Sequence, residues 1–134
     1  MSTKSKDSSR VFIIQQPRPK GDGWVPNFEP ATQYGRLEFV FDAGDRAYAD
    51  PTEAKKKAAS RLSDFHADKD FLLWANFGDP ATLWLTIMLL VAIGNKKLKF
   101  LYWSRGRQAG VMSNEAGFYF PVELDVNQIP HQTK

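Results

Sequence analysis

The sequence contains no cysteine. That excludes a disulfide framework, a thiolate nucleophile and any zinc centre built on sulfur, and it suits a reducing cytoplasm, where the chain is expected to act. Histidine is nearly as scarce: His66 and His131 are the only two, and neither is placed with a serine and an acid so as to predict a catalytic triad. A long apolar run is missing too. The most hydrophobic stretch, residues 80–93, would be about 21 Å long as a helix against a hydrocarbon core of roughly 30 Å, so no membrane span is expected. The opening residues MSTKSKDSSR lack the apolar centre of a secretory signal. No set of glycines has the spacing of a dinucleotide loop, and no cofactor is expected.

What is present is enough for one hydrophobic core. The 134 residues are 43% hydrophobic and 25% charged, ordinary values for a globular domain and too apolar for a wholly disordered chain. The net charge of +3 permits an anionic partner without requiring one.

Residues 71–103 organise the chain as strand, helix, strand. Gly78-Asp79-Pro80 supplies a turn, an N-cap and a proline at the first helical position. Gly94-Asn95 supplies the stop. Between them only Thr82 and Thr86 interrupt the apolar character, so this helix needs cover on the face away from the sheet as well as on the face toward it. The 17–35 connection and a second copy of the chain are the two candidate covers. Upstream, Val11–Ile14 reads as a short strand stopped by Pro17. Residues 17–35 carry four prolines and three glycines together with Trp24, Phe28 and Tyr34. Residues 36–41 alternate as a strand, and Asp50-Pro51-Thr52-Glu53 opens a helix that runs to about Phe65. Downstream, 97–103 and 118–126 alternate as strands, and Pro121 marks the latter as an edge strand or a bulge.

The expected fold is therefore α/β: a mixed five-stranded sheet with the order β-β-α-β-α-β-β, a parallel β-α-β-α-β centre and antiparallel flanking strands. Residues 1–10 and 127–134 are expected to be tails around a single domain spanning 11–126.

Four sets of residues could carry chemistry. A phosphate site at Gly78 is disfavoured because Asp79 occupies the free N–H groups of the helix start and Pro80 removes one. Asp42, Asp45 and Asp50 follow one strand and Asp79 the next. They could gather at one sheet edge around a magnesium ion, with Asp42 and Asp79 the foremost candidates, but capping accounts for Asp50 and Asp79 and turn roles for Asp42 and Asp45. Acid–base or nucleophilic catalysis has no recognisable residue set. The segment 96–107 holds Lys96, Lys97, Lys99, Arg105 and Arg107, with Tyr102 and Trp103 interleaved and no acid, a composition that suits phosphates and stacked bases. It equally suits a strand with a solvated lysine face and Trp103 in the core. The rings of Trp24 and Phe28 either pin their loop to the domain or form a recognition surface.

The run from Phe71 to Phe77, Gly78-Asp79-Pro80, the apolar helix, Gly94-Asn95 and then Lys97-Leu98-Lys99-Phe100-Leu101-Tyr102-Trp103-Ser104-Arg105 resembles a group of small phage and prophage proteins. In these, a strand ending in Gly-Asp-Pro leads through a helix to a strand ending in Lys-Trp-Asp-Arg or similar. This chain departs at Tyr102 and Ser104, where the group carries Lys and Asp. The resemblance implies a setting, the cytoplasm of an infected bacterium, rather than a mechanism.

The leading expectation is a non-enzymatic module that binds a host or phage protein in replication, transcription or defence, with Lys97, Lys99, Trp103, Arg105, Arg107, Trp24 and Phe28 as candidate contacts. A nucleic-acid-binding protein using 96–107 is the alternative. A metal-dependent phosphoryl or nucleotide enzyme using Asp42 and Asp79 stands third.

Overall fold

A computed structural model describes residues 8–19, 21, 23, 27–47, 49–74, 79–104 and 118–125. Five strands, β1 (Arg10–Gln15), β2 (Arg36–Phe41), β3 (Phe71–Leu73), β4 (Lys97–Ser104) and β5 (Phe118–Asp125), form one mixed sheet with two α-helices, α1 (Pro51–Arg61) and α2 (Pro80–Ala92), and a 3-10 helix, Glu29–Tyr34. The strand order is β2-β1-β3-β4-β5. The strands β2, β1, β3 and β4 are parallel, and β5 is antiparallel to β4.

The α/β class and the five-stranded mixed sheet are as the sequence predicts. The place of β1 is not. It is a parallel interior strand rather than an antiparallel flank, pairing with β2 on one side and β3 on the other. The physical reason lies in its composition: Val11, Phe12, Ile13 and Ile14 are all buried, and a strand apolar at every position must be covered on both faces. The proline-rich stretch after β1 is also long enough for the crossover that a parallel neighbour requires.

From β1 the chain moves outward to β2, then back across β1 to β3 and onward to β4. Right-handed crossovers then put the first connection on the opposite side of the sheet from the next two. The buried clusters follow that rule. Phe12, Ile14, Leu72, Leu98 and Phe100 pack with Ala54, Ala58, Leu62 and Leu90 on the α-helical side. Val11, Ile13, Leu73 and Leu101 pack with Phe28, Ala31 and Tyr34 on the other. Thus residues 28–34 cover the far face of the sheet, and of the two candidate covers for α2 this part of the 17–35 connection is not one.

Both helix starts form as predicted. Asp50 accepts the Glu53 N–H at 3.2 Å, and Asp79 accepts the Ala81 N–H at 3.1 Å. At the end of α2, Gly94 takes φ 111°, and the Asn95 backbone and side-chain N–H groups both donate to Leu90 O at 3.0 Å. The first helix ends earlier than expected, at Arg61, with Leu62 turning its buried side chain into the core. Gly35 is required by proximity: a Cβ there would lie 2.5 Å from Ser9 O, beside the 3.0 Å hydrogen bond from Arg36 N–H that starts the β1–β2 ladder.

Candidate functional site

The carboxyl edge of a parallel sheet is the usual ligand site of an α/β fold, at the point where successive connections leave in opposite directions. In this chain that point lies between β1 and β3, and it is occupied by the protein's own groups. The buried amide of Gln15 donates to Asp42 O at 3.1 Å and to Asp45 O at 2.8 Å, while its Oε1 accepts from Asp79 N–H at 2.7 Å and Thr82 Oγ1 at 3.3 Å.

The carboxylates around it are equally engaged. The Asp79 oxygens accept from Ala81 N–H and from Ala47 N–H at 3.2 Å. Asp42 meets Lys57 at 3.0 Å and Arg61 at 3.2 Å, and Lys57 also reaches Asp45 at 2.8 Å. Hydrogen bonds from Lys57 and Arg61 hold the Asp42 carboxyl below the usual carboxylate range. In return Asp45, and then Asp42, hold the Lys57 ammonium above its ordinary value. Asp42 and Asp79 therefore lie near one edge, as the sequence predicts, but one is committed to cations and the other to backbone donors. Among the described residues no three His, Asp or Glu side chains gather as a metal ion would need.

At the opposite, amino edge of the sheet a cleft of about 510 Å³ is lined by Arg10, Arg36, Asp64, His66, Lys69 and Asp70. Three of its charged groups, Arg10, Asp64 and Asp70, pair with one another. Arg10 bridges Asp64 at 3.0 Å and Asp70 at 3.5 Å, and the buried Asp70 accepts the backbone N–H groups of Arg10 and His66. These contacts lock the 66–70 turn to the start of β1, a structural use of Arg10, Asp64 and Asp70.

The candidate contact residues separate. Phe28 is buried against Phe39, with ring centroids 6.4 Å apart; it pins its loop and is core, not surface. Lys97 faces Glu123 at 3.9 Å. Lys99 donates to Asp68 O at 2.8 Å and sits 4.5 Å over the Phe71 ring, so its charge is engaged within the domain. Trp103 is half-exposed and meets Tyr119 edge-on at 4.7 Å, a rim position rather than the core. Trp24, Arg105 and Arg107 lie outside the described residues.

The feature that stands out is apolar. On α2, Thr82, Thr86 and Leu90 are fully buried. The positions opposite them at helical spacing are Trp84, 66% exposed, Met88, 56% exposed, and Val91. The 13-residue helix carries no charged side chain at all. Beyond it, β5 has no helix of its own, because no crossover follows it among the described residues. Register places Leu98, Phe100 and Tyr102 opposite Leu124, Val122 and Phe120, so all six share the helical side of the sheet. Leu98 and Phe100 are covered, whereas Tyr102, Phe120 and Leu124 are exposed. Tyr102 and Phe120 stack at 6.1 Å, and Phe118 adds a third ring 6.2 Å from Phe120. A charge-free ridge and a charge-free aromatic floor thus lie on the same side of the sheet. The ridge was legible in the sequence of α2; the floor was not, since strand alternation does not say which strands lack a helix.

A protein family described as Phage Pam3 gp32-like protein has a model that matches residues 9–124. No curated protein and no solved structure matches the chain. No helix among the described residues is long and apolar enough to cross a membrane.

Proposed function

The chain belongs to the Phage Pam3 gp32-like protein family, and from that premise we propose that it is a non-enzymatic module that binds a protein in the cytoplasm of an infected bacterium. The observation that carries this reading is the apolar step formed by the outer face of α2 and the bare helical side of β4–β5. Large exposed apolar patches mark interaction surfaces, and aromatic residues and Met are the side chains enriched where proteins meet. The step offers Trp84, Met88, Tyr102 and Phe120 together.

Two observations weigh against the other readings. A nucleic-acid surface needs cations aimed at phosphates, whereas the step has none, and Lys97 and Lys99 on the opposite face are engaged with Glu123 and with Asp68 O and Phe71. A phosphoryl or nucleotide enzyme would need an accessible carboxylate edge, and the groups at that edge are occupied by caps and ion pairs.

The test is a photo-reactive residue placed at Met88, with one at the exposed Lys55 of α1 as control, in bacterial cells expressing the chain. A cross-linked protein formed at Met88, absent at Lys55 and lost on Phe120→Lys supports the proposal. No protein product at Met88 rejects it.

A further inference from the structure

We infer that the occupant of the apolar step is a second copy of this chain, related to the first by a twofold axis; the inference rests on the protein-binding reading and names its partner. Three features of the step carry it.

The first is shape. The step presents a ridge, Trp84, Met88 and Val91 along α2, and a floor, Tyr102, Phe120 and Leu124 on β4–β5, both on the same side of the sheet. A surface that carries both a raised helix face and an uncovered strand face can meet a copy of itself. Turned about a twofold axis, each ridge lies over the other copy's floor, which is the isologous geometry of the commonest oligomers.

The second is area. With Ile93 and Phe118 at its margins, the exposed apolar side chain of the step is on the order of 800 Å², the share that one partner contributes to a standard protein–protein interface. One copy thus offers about the area that a second copy would cover.

The third is charge. The chain is 25% charged, yet α2 and the helical side of β4–β5 carry no charged residue. A partner matched to this surface is itself uncharged over the same area, and the step is such a surface. The outer edge of β5, unpaired among the described residues, is a poorer route to pairing, because Pro121 removes a backbone donor from this strand.

The test is the molar mass of the full chain by sedimentation equilibrium across a wide concentration range. The expected mass is twice the monomer's 15.2 kDa, falling to the monomer mass in Met88→Lys and in Phe120→Lys while the circular dichroism of both variants stays that of the wild type. A wild-type chain that is monomeric throughout overturns the inference, as does a dimer that survives both substitutions or an open-ended assembly. If the lysine variants fail to fold, Met88→Cys places a single thiol in a chain that has none. Its labelling by a bulky maleimide is expected to be slow at high concentration and fast on dilution, and equal rates overturn the inference. A monomer whose Met88 still cross-links a different protein in cells ends the self-pairing and leaves the protein-binding proposal standing. No protein product of either kind ends both.

Discussion

Gln15, the last residue of the interior strand β1, accepts the backbone N–H of Asp79 at 2.7 Å across 64 positions of sequence. With its donations to Asp42 O and Asp45 O, one buried amide joins β1, the turn after β2 and the start of α2. Replacing it with Leu keeps the volume close but leaves those backbone groups without their partner. Gln15→Leu is expected to lower stability by about 3 kcal/mol, read as a fall in the urea midpoint at unchanged slope. A loss under about 0.5 kcal/mol, the scale of an ordinary surface substitution, contradicts the assignment.

Asp42 gives a pH dependence with a definite sign. Its carboxyl is held below its ordinary value by hydrogen bonds from Lys57 and Arg61. A depressed folded value contributes stability that is full above the unfolded value, about pH 3.9, and is lost as pH falls through the folded one. Because the group is half-exposed, the contribution at pH 7 is expected to be no more than about 1 kcal/mol. Chemical denaturation of wild type and Asp42→Asn at intervals from pH 7 to pH 2 should show their difference shrinking only below about pH 4. A difference that grows toward acid reverses the sign and removes the argument.

Gly35 is squeezed against backbone. Its added Cβ would meet Ser9 O at 2.5 Å, at a φ of 155° that L side chains rarely adopt. Gly35→Ala is expected to cost roughly 2–3 kcal/mol. Hydrogen exchange offers the local readout, with protection lost first at Arg36 and along the β1–β2 ladder. Uniform protection in the variant would show that the chain absorbs the methyl elsewhere.

Thr86 runs the other way. Its side chain is fully buried on the inner face of α2, and its Oγ1 has no hydrogen-bond partner among the described residues. Thr86→Val removes an unpaired hydroxyl at nearly constant shape, so it is expected to raise stability by about 1 kcal/mol. A melting temperature below that of the wild type would show that the hydroxyl is satisfied after all.

Features set by neighbouring residues were legible in the sequence. Asp50 and Asp79 cap as their Pro-containing contexts require, Gly94 ends α2, and Pro121 lies in an edge strand. Features set by distant pairing were not. The run Val11–Ile14 looks the same beside any neighbour, and its parallel insertion between β2 and β3 follows from contacts up to 60 residues away. The role of Gln15 has the same origin: a polar residue ending an apolar strand is common, and only the fold brings Asp45 and Asp79 to it. For the apolar step, the excess of α2 was readable from its uncharged sequence, whereas the exposure of Phe118, Phe120 and Leu124 depends on the lack of a helix over β5 among the described residues.

The interior position of β1 has a consequence for synthesis. This strand leaves the ribosome before any of its neighbours, yet both of its edges are closed only by β2 and β3, the latter ending at Leu73. Until β2 emerges the nascent chain carries Val-Phe-Ile-Ile, the composition of a segment that pairs readily with other strands, with two open edges, and one edge stays open until β3 follows. Translation speed through the first half of the message, and the chaperones present while it is read, should therefore govern how much of the protein reaches its native sheet.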